Sequence, residues 1–169
     1  MAVLGINCTK KAIYVAEVDG SGNAIRVTKP WEPIACSWTK PVDILPIYSG
    51  VKPVLEGCKA RGITRVVVLA CASGAMGADN DTVKIEGIVE LAAVQLDMTV
   101  EHVTPQGVRI ALGCAKGEKW QNKSRALLDP RSAVAHWTEG MGGAIAAVWK
   151  ATMPPGSSKT SARQTKVRR

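Results

Sequence analysis

The sequence predicts an α/β fold built on a mixed sheet of five strands, three antiparallel then two parallel, with helices on both faces. Three observations lead there. Short apolar runs separated by polar and Gly-rich breaks open the chain, a continuous apolar run of Val-Val-Val-Leu-Ala follows Arg65, and helix-period stretches separate and follow the later strands.

Residues 3–6, 12–18 and 24–28 are the opening runs, and the breaks at 7–11 and 19–23 are short enough for an antiparallel meander. Residues 29–50 hold Pro30, Pro33, Pro41 and Pro46 without a clear period, and read as a long connection crossing the sheet. A helix is expected over 51–61, with Pro53 in its first turn, where a missing N–H is harmless, and Gly62 closing it. The run 65–70 then reads as a central parallel strand covered on both faces. Beyond a glycine-bearing loop, residues 82–96 place Val83, Ile85, Ile88, Val89, Ala92, Ala93 and Leu96 on one helical face, and 98–103 returns as a second parallel strand through a right-handed crossover. Short helices at 105–112 and 118–128 flank a basic loop at 113–117, and the last helix spans 137–152. Its Gly140, Gly142 and Gly143 weaken helix propensity by about 1 kcal/mol each, so they are read as permitting close packing against the sheet.

The chain of 169 residues suits one domain, residues 1–153, followed by a flexible basic tail at 154–169. The formal net charge is +8, but the tail holds Lys159, Arg163, Lys166, Arg168 and Arg169 with no acid, leaving 17 bases against 14 acids in the body. Such a tail favours a polyanion, nucleic acid before an anionic membrane surface, although solubilising tails share the composition. Five cysteines without a CxxC or zinc-like spacing read as reduced core thiols, and with no signal peptide a cytoplasmic location is expected. No apolar run approaches the roughly 20 residues of a membrane helix. The glycine-bearing loop lacks the order of a triphosphate-binding loop, and His102 and His136 have no nucleophile beside them.

The element order, Leu4-Gly-Ile-Asn7 as a first strand, and the segment 100–128 with Arg109, Gly113, Lys116, Gly117, Glu118, Lys119 and Gln121 together resemble the RuvC family of Holliday-junction resolvases, in the RNase H-like superfamily. The resemblance covers about residues 1–150. It implies a homodimer acting on DNA, and a pair of Mg²⁺ or Mn²⁺ ions about 4 Å apart that hydrolyse a phosphodiester. Those ions would need anionic oxygens from the end of the first strand, the end of the fourth, and two acids on the last helix.

Here Asn7 stands at the first position, Leu69 at the second, and Gly140 and Gly143 near the last two, with Glu139 the nearby carboxylate. One carboxylate and an amide do not hold two dications, so no metal cofactor is expected and a nucleic-acid-binding protein without nuclease activity is the first reading. An active endonuclease with ligands displaced to Glu86, Glu90, Asp79, Asp81 or Glu139 is the alternative, since Glu86 and Glu90 lie four apart on one helix. A third reading is a structural subunit of a larger nucleoprotein assembly that keeps the fold as a scaffold. Arg109, Lys116, Lys119, Lys123 and Arg125, with the tail, are the expected phosphate contacts on DNA or RNA; Trp120 among them is expected in the core.

Overall fold

The structure, a computed structural model, describes residues 2–21, 24–36, 44–71, 80–134 and 136–153. The tail at 154–169, with its five bases, and the loop containing Asp79 lie outside the described residues. Strands β1 (Ala2–Cys8), β2 (Ala12–Ser21) and β3 (Ala24–Pro30) form the meander, and β5 (Arg65–Leu69) and β6 (Thr99–Val103) are the parallel pair. The order across the sheet is β3-β2-β1-β5-β6, with β1 parallel to β5 and β5 to β6. A sixth strand that the five-strand reading lacked, β4 (Ile34–Ala35), pairs with β2 off that path. Two residues in a proline-rich stretch carry no period from which a strand can be read.

Alternation along the strands sorts the core into two layers. Leu4, Ile6, Ile13, Val15, Val66 and Val68 face helices α1 (Ile44–Ala60) and α2 (Asn80–Gln95). Val3, Ala16, Val18, Val67, Leu69 and Val103 face α3 (Pro105–Ala111), α4 (Trp120–Lys123) and α5 (Glu139–Thr152). Each fully buried aliphatic side chain contributes about 1.5–3 kcal/mol relative to exposure, which is why the sheet is covered twice.

Several boundaries differ from the sequence reading. Helix α1 starts at Ile44, inside the expected connection, so Pro53 sits in its interior and removes a hydrogen bond to the preceding turn. Burial of Ile47, Val51, Leu55 and Cys58 along one stripe offsets that cost. On α2, Ile85, Ile88, Val89, Ala92 and Ala93 face the sheet, but Val83 is exposed, together with Leu91 and Val94. The expected helix at 118–128 divides into α4 and a 3₁₀ turn, Ser124–Leu127. Trp120 is core, as expected. All five cysteines are free; Cys8, Cys36 and Cys58 are buried.

A charged group is buried against α1. Glu17 on β2 pairs with Arg61, accepts a hydrogen bond from the Trp31 indole at 3.1 Å, and takes a weaker one from Cys58 Sγ at 3.6 Å. Lys29 Nζ and Arg61 Cζ lie 3.8 and 5.5 Å from the Trp31 ring centroid. Burial first, then the Glu17 charge, push the Cys58 thiol up to about 12, so it stays neutral in any physiological medium.

The outer edge of β3 is not open. Asp129 N donates to Ile25 O at 2.8 Å, Ala133 N to Val27 O at 2.9 Å, and Val27 N to Ser132 Oγ at 3.1 Å, so the segment after the 3₁₀ turn covers that edge. At the other side, Arg65 Nη2 donates to Glu101 Oε2 at 2.5 Å and to Ala151 O at 3.2 Å, tying the end of α5 to the start of β5. No helix among the described residues is long and apolar enough to cross a membrane.

Candidate functional site

The four positions at which the resemblance expects metal ligands converge. Across the sheet's carboxyl edge, register places Tyr14 of β2, Asn7 of β1, Leu69 of β5 and Val103 of β6 side by side. The first turns of α5 lie over this row. An added Cβ at Gly143 would stand 2.4 Å from Asn7 Nδ2 and 3.2 Å from Leu69 Cδ2, and one at Gly140 would stand 2.2–2.4 Å from the Tyr14 ring. Real side chains do not tolerate such approaches, so glycine is what lets the helix settle there. Gly5, one repeat earlier on the same face of β1, meets the Ala144 carbonyl in the same way, with a Cβ position 2.5 Å from that oxygen.

Asn7 is held where a carboxylate would not be. Its Nδ2 donates to Gly140 O at 2.9 Å, a bond that an aspartate could not make because it has no N–H and would set a negative oxygen against a carbonyl. The row therefore offers an amide, a phenol ring and two aliphatic side chains under two glycines. Among the described residues no three His, Cys, Asp or Glu side chains come together as a metal would need. This donor set does not fit a pair of divalent cations, which require several anionic oxygens between them.

The displaced carboxylates lie elsewhere. Glu139, in the first turn of α5, is exposed and bonds Lys119 Nζ at 2.8 Å. Asp81 opens α2, 3.8 Å from Lys84. Glu86 and Glu90 are on α2, on the opposite side of the sheet from α5. Glu86 is buried and accepts from Cys71 N; Glu90 is exposed, 3.6 Å from His102 Nε2. Burial is the main cause holding the Glu86 carboxyl above its ordinary value, with Glu90 adding to the rise and the Cys71 amide and His102 opposing it. A folded-state value above the unfolded one gives a contribution that is full below the ordinary 4.5 and is lost as pH rises through the raised value. Glu86→Gln, which keeps an acceptor for Cys71, is expected to match the parent Tm at pH 4 and exceed it at pH 7. A parent that is the more stable at pH 7 would contradict this account of Glu86.

The basic positions divide into three groups. Arg109 Nη1 and Nη2 donate to Glu118 O at 3.1 Å and Ala115 O at 2.9 Å, while Lys123 Nζ reaches Gly113 O at 3.2 Å and Glu118 Oε2 at 3.5 Å. Glu118 also accepts from Ala115 N at 2.9 Å; that bond, then Lys123, hold its carboxyl below the ordinary range. Positive φ at Gly113 and Gly117 completes a folded loop, tied to α5 through Lys119 and Glu139. Lys116 is exposed on it. Arg125 is not part of this group: it belongs to the 3₁₀ turn near β3. Sequence reasoning missed Tyr14, whose ring packs beneath Gly140, and Lys10 and Lys11, exposed on the turn that leaves β1 at the same edge. Only the strand register places them there.

No family model and no curated relative matches the chain. Among solved structures, Thermus thermophilus RuvC is similar with a TM-score of 0.66 at 21% identity, over 89% of this chain and 92% of that one. The T. thermophilus RuvC solved in complex with a Holliday junction substrate gives 0.67 at 19% identity, over 89% and 91%. The chain has a RuvC-like, RNase H-like fold, as the resemblance implied.

Proposed function

We propose that this protein binds structured or branched nucleic acid through a RuvC-like body and does not cleave it. The observation that carries the reading is the closed row of Tyr14, Asn7 and Leu69 beneath Gly140 and Gly143, where hydrolysis would need converging acids. Binding is supported by the likeness to a RuvC solved on a junction and by the net charge of +8. Lys116 and Lys119, on the loop tied to the first turn of α5, and the turn lysines Lys10 and Lys11 are exposed cations, with Lys159, Arg163, Lys166, Arg168 and Arg169 available in the tail. A two-fold pair of chains suits a branched partner, and Val83, Leu91 and Val94, exposed along α2, are the surface we assign to it.

Anisotropy titration of a labelled four-way junction across a salt series tests the proposal. Affinity is expected to fall by about 10³-fold or more between 50 and 200 mM salt if six or more phosphates are contacted, and Lys116→Ala is expected to flatten the log–log slope by about one. Sedimentation of the complex is expected to give two chains per junction, and incubation with Mg²⁺ or Mn²⁺ no product. Absent binding at low salt would end the reading. Metal-dependent cleavage abolished by Glu139→Ala or Glu86→Ala would replace it with an endonuclease.

A further inference from the structure

A cleft of about 230 Å³ opens beside the segment that covers β3, just ahead of α5. Its walls are Leu128, Pro130, Val134 and Trp137, with Arg125 and Asp129 as the charged groups. Ser132 also lines it, but its hydroxyl is committed to Val27 N and Ile25 O. The remaining hydrogen-bonding capacity is specific. Arg125 is exposed and its guanidinium has no partner among the described residues. Asp129 Oδ1 accepts Arg131 N and Nε at 2.8 and 2.9 Å, and Oδ2 accepts Nη2 at 2.7 Å, which leaves the carboxylate one open acceptor site of about four. The Trp137 indole Nε1 is buried with no partner among the described residues.

We infer that this cleft receives a single unstacked guanine base of a bound strand, an inference that rests on the nucleic-acid reading above. The volume lies below the roughly 300–1,000 Å³ of sites for larger organic ligands and suits one flat ring system. Trp137 and Pro130 supply apolar faces for it. Guanine alone among the bases presents two adjacent acceptors, O6 and N7, which match the fork of Arg125, and beside them an N1–H that Asp129 can accept. Asp129 is kept ionised by Arg131, so it serves as an acceptor and never as a donor. This gives the protein a base contact in addition to phosphate contacts that carry no sequence information.

The test uses the full chain and a duplex with one unpaired nucleotide, compared as guanine, 7-deazaguanine and an abasic site at fixed salt. Guanine is expected to bind about ten-fold more tightly than the abasic site, and removing N7 is expected to forfeit most of that gain. Val134→Phe, which fills the cleft, is expected to abolish the gain while leaving abasic binding unchanged. Equal affinity for the three duplexes overturns the guanine site and leaves the phosphate-binding reading standing. If no duplex binds at low salt, titration with guanosine monophosphate, followed at the Trp137 indole resonance, decides the cleft by itself: a saturable shift absent from Val134→Phe supports it, and no shift overturns it.

Discussion

Gly143→Asp is expected to unfold the protein's edge rather than arm it. The new Cβ would lie 2.4 Å from Asn7 Nδ2 and 2.8 Å from its Cγ, and Asn7 cannot withdraw because its strand is paired on both sides, with Tyr14 and Leu69, and its side chain is bonded to Gly140 O. Overpacking of this kind costs about 1–3 kcal/mol, and a carboxylate buried beside Leu69 adds more, so about 4 kcal/mol is expected. For a domain of this size that lowers Tm by about 8–16 °C. No Mg²⁺-dependent cleavage is expected to appear. Gly143→Ala should cost about half as much, and less again when combined with Asn7→Ala, which empties the space; the coupling of about 1 kcal/mol is read from thermal melts of the double-mutant cycle. Gly143→Ala with an unaltered Tm would show that the helix is not seated by these glycines.

Arg61→Ala is expected to cost about 3 kcal/mol, or about 6–12 °C in Tm. The asymmetry of burial sets the size: the Glu17 side chain is 7% exposed and Arg61 42%, so losing the arginine strands a carboxylate inside, whereas losing the carboxylate frees an arginine that can turn to water. The loss falls at the low end of the range for broken buried pairs because solvent already screens the guanidinium. Glu17→Gln, which still offers an oxygen to the Trp31 indole, is expected to lose about 1 kcal/mol. Chemical denaturation of the two variants measures the difference. Equal losses would mean that the pair is held mainly by packing around Trp31.

The layered fold was legible because alternation in 3–6 and the apolar run after Arg65 are direct marks of half-buried and fully buried strands. The start of α1 was not, because Pro46 and Pro53 signal a break that the buried stripe from Ile47 to Cys58 overrides. At the site, the absence of acids at Asn7, Leu69, Gly140 and Gly143 could be read from residue type alone. That Tyr14 fills the space under Gly140 could not, since it depends on which residues register places in one row. Nor could the internal commitments of Arg109 and Lys123, which charge counting treats as available cations but whose donors reach loop carbonyls.

The bond from Arg65 to Ala151 O fixes where the last helix ends, at the start of the parallel strands and so at the pole opposite Asn7. Fourteen residues of helix put that point about 21 Å from the first turn. The described chain therefore ends, at Met153, on the far side of the domain from Lys119. A ligand gripped by both ends would be held bivalently, its affinity set by avidity across the body and falling steeply for partners too short to span it.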